Sequence, residues 1–207
     1  MSWLISNYIE LLGATIGLIY LYFEIKQKIW LWPLGIATSA LYIYIYFSSK
    51  FYADMGLQVY YLIISIYGWY HWLHGNVDNT SSSKPLPVTR ITLRLLVVLT
   101  TISLLLFVIL WFVLDRYTDS PVPVGDAFTT ALSITATWML TRKIIEHWWV
   151  WIVVDGVSMG LYIYKGLYPT TVLFAFYTIL SVVGYYQWKR EITPSQVKTT
   201  AGSSAKE

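Results

Sequence analysis

Asp155 is the residue whose type and position point most clearly to chemistry. It interrupts an apolar segment that begins near Trp148, and in a helix it would lie roughly 10 Å into a bilayer. A carboxylate at that depth costs about 2.5–3.5 kcal/mol unless it is paired or hydrated. The functional interpretation is that Asp155 lines a wet cavity and meets a substrate. The structural alternative is a protonated acid, or a pair with a nearby Lys or Arg.

Polar and aromatic side chains recur at helical spacing around this acid and in two other apolar segments. Steps of three and four residues place each set on one helix face. Aromatic faces attract cations, and a carboxylate supplies the counter-charge, so the pattern indicates a flat, cationic small molecule with polar groups. The candidate substrate-binding residues are Trp148, Trp151, Asp155, Ser158, Gln58, Tyr61, Ser65, Tyr177 and Ser181.

Several polar and aromatic residues also have a structural interpretation. Most tryptophans lie near the expected cytoplasmic ends of their segments, where an interfacial aromatic belt is typical. Serines at mid-depth can bond to helix carbonyls or permit close packing. Glu10 is a second candidate inside a span, whereas Glu24 is expected to be a solvated end residue. His71, His74 and His147 are expected to be solvated as well, and we predict no metal site.

The composition is that of a membrane protein. Of 207 residues, 57% are hydrophobic and 12% are charged, against about 25% charged residues in a soluble domain. The chain has no cysteine, which excludes disulfides, thiolate catalysis and cysteine-based zinc sites. The net charge of +3 is too small to indicate nucleic acid as a partner. We expect no cofactor, and partners limited to a small molecule and the lipid bilayer; an oligomer is compatible with the sequence.

Apolar segments long enough to cross a bilayer recur along the chain. Their continuity favours helices over barrel strands, so we predict an all-α polytopic membrane protein with seven transmembrane helices. Of the 14 Lys and Arg residues, eleven fall on one side of the alternating connections, which places the N-terminus outside and the C-terminus in the cytoplasm. The predicted spans are residues 4–25, 29–47, 55–73, 94–114, 125–142, 148–165 and 168–188.

The second and third spans recur in the sixth and seventh. Trp30-Leu31-Trp32 aligns with Trp149-Val150-Trp151, and Tyr61 aligns with Tyr177. Three spans are an odd number, so one extra span between the copies restores a common direction. We therefore predict a 3+1+3 parallel repeat, with substrate near the midplane between the copies. The predicted parts are a three-helix repeat at residues 1–74, a linker with the fourth helix at 75–123, a second three-helix repeat at 124–190 and a disordered cytoplasmic tail at 191–207.

The chain resembles the PnuC family of vitamin transporters over about residues 4–190. The motifs that carry the resemblance are Trp148-x-x-Trp151-x-x-x-Asp155, the aromatic run 161–168 and the ending 184–189. The resemblance implies a SWEET-like seven-span fold in the bacterial inner membrane. It also implies facilitated uptake of nicotinamide riboside, which is trapped by phosphorylation in the cytosol. A related branch is associated with thiamine, and because this sequence has an acid at the family's polar position, thiamine stays an alternative.

We expect alternating access, by rocking of the two three-helix units around a central site. Trp151 and Tyr177 would stack on the ring, and Asp155, Gln58 and Ser181 would bind polar groups. The sequence contains no nucleotide-binding motif, which favours facilitated diffusion. A membrane-embedded enzyme is the rival of another class, although its acids and histidines would lie at different depths. A retinal-based light sensor is excluded because the last span lacks a lysine.

Overall fold

In the computed structural model, the described residues are 8–48, 52–74 and 86–192, without the side chains of 8–13, 46 and 52–54. Within these ranges the backbone forms seven helices and one isolated β-bridge, which confirms the prediction of a seven-helix all-α chain. The predicted tail beyond residue 192 and the side chain of Glu10 lie outside the described part. The helices are α1 (Tyr8–Ile25), α2 (Leu31–Ser48), α3 (Tyr52–His74), α4 (Leu93–Tyr117), α5 (Pro123–Thr141), α6 (His147–Tyr164) and α7 (Tyr168–Lys189).

Two of these helices, α4 and α7, are long and apolar enough to cross a bilayer by length and composition alone. Shorter apolar stretches cover Ala14–Ile25 and Leu31–Ile45. Along α4, large apolar side chains such as Val97, Leu105 and Ile109 are exposed. A continuous apolar surface of this kind is typical of a face that contacts lipid or another protein.

The chain divides into two compact units, Met1–Pro85 and Leu86–Glu207. In the first unit α2 packs along α3, and α1 contacts α2. In the second unit α4 packs on α5, α5 on α6, and α6 on α7. The fourth helix therefore packs with the three helices that follow it in the chain.

The turn between α1 and α2 has the same backbone geometry as the turn between α5 and α6. Gln27 at φ 50° and Lys143 at φ 51° both adopt the left-handed conformation, which is uncommon for residues other than glycine. In each turn the amide of the next residue donates to the carbonyl five positions earlier. The N···O distance is 2.8 Å from Lys28 to Phe23 and 3.1 Å from Ile144 to Met139. The two turns thus match residue for residue.

A tryptophan packed on a glycine joins two helices in each unit. In the first unit, a Cβ atom added to Gly68 on α3 would overlap the ring of Trp32 on α2. In the second unit, a Cβ atom on Gly184 in α7 would lie 2.5 Å from ring carbons of Trp148 on α6. Both tryptophans have an exposed fraction of 0%. Glycine is required at both positions because the indole ring occupies the space of a side chain.

Each of these buried tryptophans meets a second tryptophan edge-on. The ring centroids are 5.3 Å apart for Trp32 and Trp72, and 5.7 Å apart for Trp148 and Trp188, with interplanar angles of 88° in both pairs. This packing equates Trp32 with Trp148, so the alignment of Trp32 with Trp151 is wrong. The error arises because Trp149-Val150-Trp151 has the same Trp-x-Trp pattern as Trp30-Leu31-Trp32 but begins one residue after the buried Trp148. The aromatic-belt interpretation is also wrong for these four rings, which are buried.

An extended segment before α4 is fixed to the turn between α5 and α6. The amide of Thr89 donates to the carbonyl of Lys143, and the amide of Ile145 donates to the carbonyl of Thr89, both at 3.0 Å. The amide of Ile91 donates to Oε2 of Glu146 at 2.9 Å. These bonds hold the start of α4 beside the start of α6.

Candidate functional site

A buried carboxylate lies at the contact between α6 and α7. Asp155 on α6 is 5% exposed, and Ser181 on α7 is 2% exposed. The Ser181 hydroxyl donates to Oδ2 of Asp155 at 3.4 Å. Taking a carboxylate out of water is costly unless hydrogen bonds or a counter-charge stabilise it, so this site is suited to a cationic ligand.

Aromatic side chains lie one helical turn from both of these residues. Tyr177, one turn before Ser181, is half-buried and interacts electrostatically with the Asp155 carboxylate. Trp151, one turn before Asp155, is half-buried, and its indole N–H has no acceptor among the described residues. A buried donor without an acceptor costs about 1–3 kcal/mol. A ligand that offers an acceptor here would recover part of that free energy.

Two other predicted site residues of α6 have different surroundings. Ser158, one turn beyond Asp155, is buried. Trp148 is fully buried against Gly184 and the ring of Trp188. Its packing gives Trp148 a structural part in the site, because it sets the distance between α6 and α7 two turns before the acid.

The remaining predicted site residues lie on α3, in the first unit. Ser65 is buried, and its hydroxyl oxygen lies 2.9 Å from the position of a Cβ atom on Gly35. Gln58 and Tyr61 are half-buried on the same helix. The close approach of Gly35 to Ser65 brings α2 directly onto the polar face of α3.

Among the side chains of the first unit that the structure describes, the buried acid is Glu24 on α1, which the sequence interpretation did not select. Its exposed fraction is 3%, so the expectation of a solvated end residue is wrong. Tyr20, one turn earlier, interacts electrostatically with both Glu24 and Tyr61, and its ring lies 3.5 Å from the Cβ position of Gly35. These contacts gather α1, α2 and α3 around one polar cluster. The spacing of Tyr20 and Glu24 on one face of α1 was the available signal.

The two units bury their acids at positions that do not correspond. In the register set by the buried tryptophans, Asp155 corresponds to Ser39, and Glu24 corresponds to Leu140. Both of these counterparts are buried. The units therefore share the tryptophan–glycine contact but differ in which helix carries the buried acid.

The histidines differ in their surroundings. His74 is exposed, as expected, but His147 has an exposed fraction of 0%, and its Nδ1 lies 2.7 Å from the carbonyl oxygen of Ile144. The expectation of a solvated side chain is wrong for His147, because the ring packs between Trp148 and Trp188. In the part of the chain that the structure describes, no three His, Asp or Glu side chains are arranged to hold a metal ion.

Comparison with known proteins identifies the family of this chain. The family described as nicotinamide mononucleotide transporter matches residues 7–190. The nicotinamide riboside transporter PnuC of Escherichia coli strain K12 is 26% identical over 203 residues, which cover 88% of this chain and 85% of that protein. The protein of the same name from Neisseria mucosa is 26% identical over 199 residues, or 91% of this chain and 73% of the relative.

A relative with a different named substrate and a solved structure extend the comparison. The riboflavin/roseoflavin transporter RibM of Streptomyces davaonensis is 23% identical over 181 residues, or 86% of this chain and 83% of the relative. A crystal structure of the vitamin B3 transporter PnuC superposes with a TM-score of 0.69 at 21% identity, covering 90% of this chain and 82% of that one. At this identity the structural match establishes the fold.

Proposed function

The chain belongs to the nicotinamide mononucleotide transporter family, and on that premise we propose that it takes up nicotinamide riboside across the bacterial inner membrane. Two relatives named as nicotinamide riboside transporters support this substrate. The observation that carries the proposal is the buried Asp155 carboxylate, because the pyridinium ring of nicotinamide riboside has a fixed positive charge. The family is one of transporters, so the chain is not an enzyme.

In the proposed complex, Asp155 is the counter-charge of the pyridinium ring. Trp151 and Tyr177 stack on the ring, with about 2 kcal/mol or more available from a desolvated cation–π contact. The unsatisfied indole N–H of Trp151 donates to a carboxamide or ribose oxygen. Ser181 orients the carboxylate through its hydrogen bond. The further residues proposed to line the path are Gln58, Tyr61, Ser65 and Ser158, with Trp148 fixing α6 on α7.

The charge of Asp155 also bears on the alternative substrates. Riboflavin, the substrate named for one relative, has an uncharged ring at neutral pH and offers no positive charge to the buried carboxylate, so it gains less from binding there than a cation does. Thiamine contains a thiazolium ring with a fixed positive charge, and the same carboxylate favours it. Thiamine is therefore the second candidate substrate, and riboflavin is disfavoured.

We further propose a 3+1+3 parallel repeat of the SWEET type, and transport by alternating access of its two three-helix units. The matching turns at Gln27 and Lys143, and the matching tryptophan–glycine contacts, support a repeat. The sequence holds no nucleotide-binding motif, which supports facilitated diffusion followed by phosphorylation of the vitamin in the cytosol. The Lys and Arg distribution supports an external N-terminus and a cytoplasmic C-terminus.

Uptake into proteoliposomes tests this function. Labelled nicotinamide riboside should equilibrate into vesicles without ATP or an ion gradient, and unlabelled thiamine and riboflavin serve as competitors. Asp155→Asn should lower the initial rate at least tenfold, whereas Asp119→Asn, an exposed acid between α4 and α5, should not change it. If the vesicles take up no nicotinamide riboside but show saturable uptake of thiamine, the substrate is thiamine. Equal initial uptake rates in Asp155→Asn and Asp119→Asn would show that Asp155 does not bind the substrate.

A further inference from the structure

A cavity in the Leu86–Glu207 unit is separate from Asp155. Its volume is about 510 Å³, and it lies between α4, α5 and the first turn of α6. Its walls are mainly aliphatic and aromatic side chains, such as Leu96, Leu104 and Phe107 of α4 and Leu132 of α5. Such a lining suits a hydrocarbon chain and offers few polar contacts to a vitamin.

The length of the cavity matches one leaflet of a membrane. On α4 it extends from Leu96 to Phe107, a distance of about 16 Å at 1.5 Å per residue. Half of a hydrocarbon core about 30 Å thick is about 15 Å. Three hydroxyl side chains line its middle, those of Thr100, Ser103 and Thr135, and two of them are closed within the protein because Ser103 and Thr135 bond to each other at 2.7 Å. An extended acyl chain therefore fits the cavity in both length and polarity.

Cationic side chains gather at the end of the cavity where α4 begins. Arg90 and Arg94 are exposed and lie on either side of Ile91, which lines the cavity. Arg142 is exposed, and its guanidinium carbon lies 5.4 Å from the ring centre of Trp138. Trp138 and Ile91 pack against the same buried cluster. Three arginines thus lie on the segments that form one end of the apolar cavity.

An acidic side chain also lies at this end of the cavity. Glu146 lines it, and its carboxylate accepts the amide of Ile91 at 2.9 Å. The start of α4, capped by Thr92, adds the positive end of a helix dipole. Trp149 lines the same end and is 52% exposed, as is typical of a ring at the membrane interface. The net charge at this end is positive, at a depth suited to a lipid headgroup.

We propose that this cavity holds one acyl chain of an anionic phospholipid, whose phosphate is bound by Arg90 and Arg94. The inference rests on the membrane placement in the proposed function. Basic pockets between membrane helices on the cytoplasmic side bind anionic headgroups, and the predicted orientation puts this end of α4 in the cytoplasmic leaflet. Bound lipid would fix α4 on α5 while leaving the Asp155 site open.

Native mass spectrometry of the delipidated full-length protein tests the headgroup preference. The protein is titrated with phosphatidylglycerol or phosphatidylcholine that have identical acyl chains. We expect one phosphatidylglycerol per chain at a concentration at least tenfold below that needed for phosphatidylcholine. The double variant Arg90→Gln/Arg94→Gln should lose this preference. Equal binding of the two lipids by the unaltered protein, or an unchanged preference in the double variant, would overturn the proposal.

A pair of threonines on α4 tests the cavity itself. Both side chains are exposed, but Thr100 lines the cavity and its neighbour Thr101 does not. Thr100→Trp should fill the cavity and lower phosphatidylglycerol binding at least tenfold, and Thr101→Trp should not. Unchanged lipid binding in Thr100→Trp would overturn the proposal. It would also be overturned if the unaltered protein and Thr101→Trp were dimers and Thr100→Trp alone were a monomer, because a second copy would then occupy the cavity. Nicotinamide riboside binding is a separate readout on the same samples, so failure of the vitamin proposal remains distinguishable.

Discussion

The hydroxyl of Ser181 donates to the carboxylate of Asp155 at 3.4 Å, across the contact between α6 and α7. The same two helices are held together where the ring of Trp148 lies on Gly184, one turn beyond Ser181. The distance between acid and hydroxyl therefore depends on a contact that contains no polar bond. A substitution that changes the packing of Trp148 on Gly184 is therefore expected to change the distance between Asp155 and Ser181, although neither residue is itself altered.

Gly184→Ala should destabilise the protein. The new Cβ atom would lie 2.5 Å from the ring of Trp148, and overpacking of this kind costs about 1–3 kcal/mol. Gly160→Ala on α6 is the matched control, because no atom lies within 4 Å of its Cβ position and both changes gain helix propensity. Thermal unfolding in detergent should give a lower Tm for Gly184→Ala than for Gly160→Ala, by about 2–4 °C per kcal/mol. Equal Tm values would show that the ring moves aside freely.

Glu24→Gln should weaken nicotinamide riboside binding without unfolding the first unit. The substitution keeps the shape of the side chain and removes its charge from the cluster with Tyr20 and Tyr61. We expect a severalfold rise in Kd by isothermal calorimetry, because the cluster that contains the proposed binding residue Tyr61 loses its negative charge. Tyr20→Phe, which removes only the hydroxyl, should have a smaller effect. If Glu24→Gln binds with the unaltered affinity at an unchanged Tm, Glu24 is a packing residue alone.

Lys143 should make stability depend on pH. Burial lowers its pKa from 10.5 to about 8, and the charge of Glu191 partly opposes the change. Between these two pH values the unfolded chain binds the proton that the folded chain has released, so the free energy of unfolding rises with pH. Lys143→Met, which cannot titrate, should therefore raise Tm at pH 7, and its advantage should shrink as the pH approaches 10. A difference in Tm that stays constant from pH 7 to pH 10 would contradict this assignment.

The helices could be predicted from the sequence because the length of an apolar run sets the length of a helix. The fourth span, predicted at 94–114, forms the helix Leu93–Tyr117. Arg94, Asp115 and Arg116 set the bounds of the predicted span, and the helix extends past that span by one residue at its start and three at its end. Membrane orientation and the parallel repeat stay predictions.

Burial of individual side chains could not be predicted in the same way. Glu24 lies at the end of an apolar run and is typical of a solvated residue by position, yet the folded chain buries it. The correspondence of Trp32 with Trp148 likewise depends on which glycine each ring meets, and a string comparison selected Trp151 instead. The structure brings Asp155 and Ser181 into contact, while their role in binding stays a prediction.

The most direct test compares nicotinamide riboside with its reduced form, which has nearly the same shape but an uncharged dihydropyridine ring. Calorimetric titration of the unaltered protein should give a Kd at least tenfold lower for the cation, equivalent to about 1.4 kcal/mol. In Asp155→Asn this preference should disappear, because the counter-charge is lost while the hydrogen bond from Ser181 can still form. A preference for the cation that persists in Asp155→Asn, or equal affinities in the unaltered protein, would contradict the claim that Asp155 binds the charge of the substrate.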